Sequence, residues 1–311
     1  LIVRSITNVN EGLLKDTTVK FVGTATIGTD HIDLDYLKKN SINFADSKGC
    51  NAFSVAEYVV ASLLNLSLKF DFSLKNKSIG IVGVGNVGSK VARFAEALGM
   101  KVLLNDPPLE RNGDTRKFVH LNKILSADII TLHVPLNLKG IDKSYHLIDK
   151  EKLSIIKDEA ILINTSRGAV VNNIDLLDVL NKKNLKVVLD VWENEPSVNV
   201  ELLNDVVLGT LHIAGYSFEG KVNGTRMIYN SVCDFLGAER YFSFEKEVPQ
   251  HTFKQLEVTD KIETGLEKLI SSIYSIQDDD ERMRKMLKMD REERIKYFDS
   301  LRKNYPIRRE F

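Results

Sequence analysis

The chain is short of everything that would staple, extrude or strongly charge a protein. Only two of its 311 residues are cysteine. Cys50 and Cys233 have neither C-x-x-C nor metal-ligand spacing, which leaves a reducing, cytoplasmic setting with free thiols as the plain reading. No metal site is expected, because no histidines and acids share ligand spacing on one element. Excess charge is missing too: Lys plus Arg number 43 and Asp plus Glu number 43, a formal net charge of zero. That balance gives no electrostatic reason to expect nucleic acid or an anionic membrane as a partner. No apolar run reaches the roughly 18 residues of a membrane helix. What remains is a globular composition, 43% hydrophobic and 28% charged, on a chain too long for one ordinary core. Two or three domains are expected. Leu1-Ile2-Val3-Arg4-Ser5 reads as a strand already under way, with no targeting pattern, so the first domain is expected to be incomplete at this end.

Against these absences one stretch stands out, Ser78-Ile79-Gly80-Ile81-Val82-Gly83-Val84-Gly85-Asn86-Val87-Gly88. A β-branched run meets glycines in the G-x-G-x-x-G pattern, and Val87, Val91, Phe94, Ala95 and Leu98 then mark one face of a helix. The pattern needs glycine for a tight turn, for backbone approach to a pyrophosphate and for helix–strand packing. The helix start also turns its unpaired N–H groups toward phosphate. A second run, Lys101–Asn105, ends in Asp106, 23 residues after Gly83, where a dinucleotide site wants a carboxylate for ribose hydroxyls. NAD is expected over NADP because Asp106 would repel a 2′-phosphate and no arginine adjoins it, Arg111 being the nearest rival consideration.

Strands are expected at Ile79–Gly83, Val102–Asn105, Asp128–Val134, Ala160–Asn164, Val187–Val191 and Val206–Gly209. Helices fall between them at about Val87–Leu98, Leu121–Leu125, Lys150–Ile156 and Asn173–Lys182. Such alternation predicts a parallel, doubly wound α/β sheet with ligands at the strands' carboxyl ends. Before it, Leu1–Val3, Phe21–Val22 and Ile42–Phe44 outline a small α/β unit, and Val55–Lys69 a helix apolar nearly all round. The hydroxyl-rich segment Thr24–Asp33 suits a binding loop or a helix cap, with the cap favoured. After the sheet come a helix over 214–237, an extended stretch over 241–260, a helix over Lys261–Ile276 and a charged helical tail. Its sparse stripe of Met286, Met289, Ile295, Phe298 and Leu301 suggests a partner-packing surface, and its charges a solvated face.

Asp106, His133, Arg167, Asp190, Glu195 and His212 all fall at or just past a strand's carboxyl end. A guanidinium there can clamp a carboxylate, and a carboxylate beside an imidazole makes a general acid/base pair. Singly, such residues are more often structural. As an Arg/Glu/His set on consecutive junctions of a nucleotide-binding sheet they point to chemistry. His133 reads as cleft-lining or backbone-bonded, and His31, His120, His146 and His251 as structural.

Gly83–Gly88 with Asp106, Thr131–Leu136, Ile163–Gly168, Asp190–Pro196 and Leu211–Gly215 resemble the D-isomer-specific 2-hydroxyacid dehydrogenases over residues 1–237. The resemblance implies a Rossmann NAD domain over 57–216 and a discontinuous flavodoxin-like substrate domain over 1–56 and 217–237. Val3–Thr7, Gly49-Cys50-Asn51, Asp106-Pro107-Pro108, Gly215–Lys221 and Leu301–Tyr305 are similar to one branch of that family. That branch acts on a small phosphorylated 2-hydroxy acid and adds a C-terminal α+β dimerisation domain, here 238–311, which makes a homodimer. Carried over, the catalytic residues are Arg167, Glu195 and His212. Gly83, Gly85, Asn86, Val87, Gly88, Asp106, Val134, Thr165, Ser166, Arg167, Asp190 and Gly215 are expected at NAD, and Ser5, Thr26 and Tyr216 at the substrate. Where the family usually carries threonine this chain has Val134, which offers the cofactor only its backbone. Two other readings stay open: a dehydrogenase of 3-phosphoglycerate or glycerate, and a non-catalytic NADH-sensing interaction protein.

Overall fold

A computed structural model describes residues 1–243, 262–306 and 308–311. Most of the stretch expected to be extended, and His251, lie outside the described residues. The described chain forms two compact units.

The first unit comprises Leu1–Ala52, residues 216–243 and Glu310. Its strands β1 (Ile2–Val3), β2 (Phe21–Thr24) and β3 (Asn43–Ala45) pair in parallel in that order, Val3 opposite Thr24 and Val22 opposite Phe44. Val3, Val9, Leu14, Val22, Ile32 and Leu37 form its core. The unit is discontinuous because the helix Phe218–Leu236 returns to cover β2, where Ile228 is buried and the Phe21 and Phe235 rings lie 5.1 Å apart. That helix begins four residues later than the hydrophobic pattern suggests. The Ser217 side chain accepts the Gly220 N–H, fixing the start, and Gly237 in the left-handed region ends it. Thr24–Asp33 divides its roles: Asp33 caps the helix Leu34–Lys39, while Thr26 donates to the Gly28 carbonyl at 2.9 Å and lies in a loop.

The second unit comprises residues 53–215, 262–306 and 308–309, with Phe311. Strands β4 (Ser78–Val82), β5 (Lys101–Asn105), β6 (Ile129–Leu132), β7 (Ile161–Asn164), β8 (Lys186–Leu189) and β9 (Leu208–Gly209) form an all-parallel sheet in the order β5-β4-β6-β7-β8-β9. Outside β5, an isolated parallel bridge pairs Leu104 with Phe118. The strands β6 to β8 are buried along their whole length, as sheets covered on both faces require. Order reverses between β4 and β6, so the ligand crevice opens at their carboxyl ends. The helices between strands are set by side-chain caps: Asp106 before Pro107–Arg111, Asp149 before Lys150–Ile155, Asn172 before Asn173–Leu180 and Asn199 before Val200–Asp205. The all-round apolar helix is Ala52–Lys69, buried along most of its length as its pattern predicts.

The C-terminal helices Ile262–Ser271, Ile276–Arg284 and Arg291–Lys303 group with this unit. The physical reason lies at β9. Asp280 accepts the Gly209 N–H at 2.7 Å, and Arg284, paired with Asp280, donates to the Leu203 and Val206 carbonyls at 3.0 and 2.8 Å. Polar groups that a sheet edge would leave open are thereby satisfied. Two expectations are corrected by this. Asp279 and Asp280 do not sit on a solvated face, and Met286 and Phe298 of the apolar stripe are buried within this chain. Arg308 completes the attachment. Its guanidinium pairs with buried Glu57 at 3.3 Å, donates to Ser54 O, Ser54 Oγ and Ala214 O at 2.7–2.9 Å, and stacks on Tyr274.

Breaking that pair leaves Glu57 charged and buried, so Arg308→Met is expected to cost about 3 kcal/mol or more in urea unfolding. Asp279 supplies a second test. Burial pushes its carboxyl up to about 6, although Tyr305 donates to it at 2.6 Å. Between its ordinary value and about 6 the folded chain keeps a proton that the unfolded chain has released. Stability is therefore lost as pH rises through that window. Relative to wild type, Asp279→Asn is expected to gain stability as pH is raised from about 4 to about 7. Parallel unfolding curves for the two proteins across that range would contradict it.

Candidate active site

The glycine run folds as its spacing demands. Gly83, directly after β4, has φ +85°, and a Cβ there would meet the His133 carbonyl oxygen at 2.5 Å. A Cβ on Gly88 would meet the Gly83 carbonyl oxygen at 2.0 Å, so only glycine lets the helix Asn86–Ala97 pack this closely. Gly85, the residue before that helix, faces open space. The loop is thus closed on the protein side and open where phosphates would approach a helix start that begins with Asn86 and Val87. Asp106, one residue past β5, accepts the Val84 N–H at 2.7 Å and the Leu109 N–H at 3.0 Å. Its carboxylate both holds the loop and starts the next helix. Arg111 is turned to Asp142, at 2.5 and 2.6 Å, and takes no part here. The arginine at the loop is Arg116, which donates to the Val84 carbonyl at 3.1 Å while pairing with Asp114. Sequence offered no local signal for it, because it lies ten residues beyond the acid.

His133 follows β6 and is bonded to hydroxyls, not to backbone: Nε2 to Thr131 Oγ1 at 2.9 Å and Nδ1 to Thr165 Oγ1 at 3.2 Å. Burial pushes its pKa down to about 3, so the ring is neutral. Val134 comes next, its Cγ1 facing the Gly83 turn. At the end of β7, the Asn164 side chain accepts the Ser166 N–H and hydroxyl at 3.0 and 2.7 Å and donates to the Arg167 carbonyl at 2.9 Å. The Arg167 guanidinium donates to Ser166 O at 2.8 Å. A Cβ on Gly168 would overlap the Trp192 carbonyl at 2.0 Å, so this turn lies against the turn after β8.

That second turn carries Glu195, which meets His212 from the loop after β9. Glu195 accepts the Trp192 N–H on Oε1 at 2.8 Å and faces His212 Nδ1 with Oε2 at 2.8 Å. Burial pushes the Glu195 carboxyl up, but the His212 imidazole and the Trp192 N–H outweigh it, and its pKa falls below the ordinary value. With an ionised acceptor on Nδ1, the imidazole keeps its proton there and exposes the Nε2 lone pair. His212 has φ +59°, a left-handed conformation rare outside glycine, and Asp190 holds it: the Asp190 carbonyl accepts the His212 N–H at 2.7 Å. The Asp190 carboxylate, 1% exposed, accepts from Thr210 Oγ1, Ile213 N and Ala214 N at 2.7–2.9 Å. Gly215 ends this loop. Contacts therefore run without a break from the glycine loop through His133, Thr165, Arg167 and Trp192 to Glu195 and His212. Ser5, Thr26 and Tyr216 belong to the first unit, Ser5 just past β1 and Thr26 just past β2. His146, read as structural, bonds Glu193 at 2.7 Å, and His31 bonds Thr24 Oγ1 at 3.1 Å.

A doubly wound sheet with this glycine loop and a His–Glu pair defines a nucleotide-dependent oxidoreductase. Residues 64–214 match the family model of the D-isomer specific 2-hydroxyacid dehydrogenase, NAD binding domain, and residues 248–311 match that of a domain of unknown function, DUF3410. The chain belongs to the D-isomer specific 2-hydroxyacid dehydrogenase family. Within it, the chain is 46% identical to the erythronate-4-phosphate dehydrogenase of Proteus mirabilis and 46% identical to that of Escherichia coli; each alignment covers 100% of this chain and 82% of the relative. Among solved structures it resembles the NAD-dependent formate dehydrogenase of Staphylococcus aureus in complex with NAD, at 25% identity and TM-score 0.64, covering 78% of this chain and 80% of that one. It also resembles the D-lactate dehydrogenase of Aquifex aeolicus with NAD and lactic acid, at 28% identity and TM-score 0.58, covering 76% and 82%. NAD is the cofactor, and the opening beside Gly85 fits its pyrophosphate.

Two glycine substitutions separate fold from cofactor. Gly85→Val is expected to melt like wild type yet lose at least tenfold in NADH affinity, read by nucleotide fluorescence. Gly88→Ala is expected to lower the melting temperature as well, because its methyl collides with backbone.

Proposed function

We propose that the chain oxidises 4-phospho-D-erythronate at C2 with NAD, giving (R)-3-hydroxy-2-oxo-4-phosphooxybutanoate for pyridoxal 5′-phosphate biosynthesis. The observation that carries this is the His212–Glu195 pair at 2.8 Å on the nucleotide-binding sheet, in a chain 46% identical to erythronate-4-phosphate dehydrogenases along its full length. NAD, when bound, would supply the acceptor for the C2 hydride. The protein's share is proton transfer and clamping. His212 Nε2 takes the proton from the C2 hydroxyl, and Glu195 stabilises the imidazolium that results. Arg167 holds the substrate carboxylate and the developing C2 carbonyl.

Gly83, Gly85, Asn86, Val87 and Gly88 cradle the pyrophosphate, and Asp106 takes the adenosine ribose. Val134, Thr165, Ser166, Arg167 and Gly215 line the nicotinamide side, with Asp190 behind the His212 loop. Ser5, Thr26 and Tyr216 bind substrate. The enzyme works as a cytoplasmic homodimer, its C-terminal segment making part of the dimer contact. The apolar residues that segment still exposes, Ile262 among them, are consistent with such a contact.

The test is NADH formation with 4-phosphoerythronate beside 3-phosphoglycerate and D-lactate. The first is expected to have the highest kcat/KM by at least tenfold, and equal or inverted values would overturn the substrate assignment. His212→Gln is expected to lower kcat by roughly 10²-fold or more while NADH affinity stays within a few fold; unchanged turnover would remove its role. Arg167→Ala is expected to raise KM and lower kcat together.

A further inference from the structure

Two cations at one corner of the first unit, Arg4 and Lys221, form no ion pair among the described residues. Arg4 follows β1 directly, at the carboxyl end of a strand whose register sets Val3 opposite Thr24, and so lies beside the Ala25–Thr26 turn. Lys221 stands in the first turn of the helix Phe218–Leu236, its Nζ 4.7 Å from the centre of the Tyr216 ring. One turn further along, Gly224 lies against Ala25 O and Cys50 Sγ, which puts this end of the helix over the carboxyl end of β2. Burial pushes the Lys221 ammonium below its ordinary pKa, and the Arg4 guanidinium pushes it further in the same direction. Arg4 also bears on Cys50, whose thiol burial raises.

Arg4, beside Ala25, and Lys221, one turn before the Gly224 that lies against Ala25 O, therefore belong to the same corner of the unit. Among the described residues neither forms an ion pair, whereas Arg111, Arg284 and Arg308 all do. The acids of this corner are engaged elsewhere: Glu310 accepts the Ser217 hydroxyl at 2.8 Å, and Glu219 accepts the Glu310 N–H at 2.9 Å. Cations without an ion pair at strand carboxyl ends and a helix start make an arrangement that a multiply charged anion completes.

We propose that Arg4 and Lys221 form the subsite for the substrate's phosphate group, and that they are the residues that make the chain select a phosphorylated 2-hydroxy acid over the bare acid. This rests on the substrate class proposed above. Arg4 supplies a planar fork for two phosphate oxygens and Lys221 a compact charge for the third. A dianion between them turns their repulsion into attraction.

The test compares binding of 4-phosphoerythronate and D-erythronate to the full-length chain with NADH present, by calorimetry, in wild type, Arg4→Met, Lys221→Met and Arg4→Lys. Melting curves and NADH affinity report that each variant is folded. Wild type is expected to bind the phosphorylated acid at least tenfold more tightly. Either methionine variant is expected to shrink that ratio at least tenfold, and Arg4→Lys to shrink it less. A ratio that survives both methionine variants overturns the subsite.

Inorganic phosphate, followed by 31P line broadening, separates the two proposals. If 4-phosphoerythronate is not turned over but phosphate still binds in a Lys221-dependent way, the subsite stands and the substrate assignment falls. Phosphate binding that is indifferent to both methionine variants overturns the subsite.

Discussion

The loop that carries His212 leans on one buried acid. Asp190 directly follows β8 and is 1% exposed, and Thr210, Ile213 and Ala214 donate to its carboxyl group. Those three donors come from the segment on either side of His212. The interaction that makes Asp190 tolerable therefore also fixes the histidine in a left-handed conformation that it would not adopt alone. Glu195, placed by the neighbouring turn, then meets Nδ1 and orients the ring.

The C-terminal segment reaches that network from the other side. Ala214 donates its N–H to Asp190 and its carbonyl accepts from Ser54 Oγ and Arg308 Nη2, so the residue two past His212 is held through both of its backbone polar groups. Arg308 is in turn fixed by Glu57 and by the Tyr274 ring. The C-terminal segment is thus built into the support of the His212 loop. Tyr58 extends the same connection, bonding Thr210 at 2.7 Å from within the buried helix.

Most of the nucleotide-binding sheet was legible because each strand is a short β-branched run bounded by turn residues, and because glycine spacing carries a steric message of its own. The candidate site was legible to the extent that chemistry falls at strand ends: Asp106, Arg167, Asp190, Glu195 and His212 all lie where that rule puts them. What escaped was whatever depends on contacts between distant residues. Arg116 at the glycine loop, the Thr131–His133–Thr165 hydroxyl chain and the hold of Arg308 on Ala214 have no local pattern, since each pairs groups brought together only by the sheet. The charged tail misled for a related reason. A run such as Asp278–Arg282 reads as solvated until β9 is seen to need an acceptor, which Asp280 provides.

The proposed proton transfer requires Glu195 to act as a charge and not merely as a hydrogen-bond acceptor. Glu195→Gln keeps an oxygen for Nδ1–H but cannot stabilise an imidazolium. Single-turnover NADH formation with 4-phosphoerythronate is predicted to slow by roughly 10²-fold or more in this variant, with NADH affinity and melting temperature close to wild type. A wild-type rate from a folded, cofactor-binding Glu195→Gln protein would contradict the account.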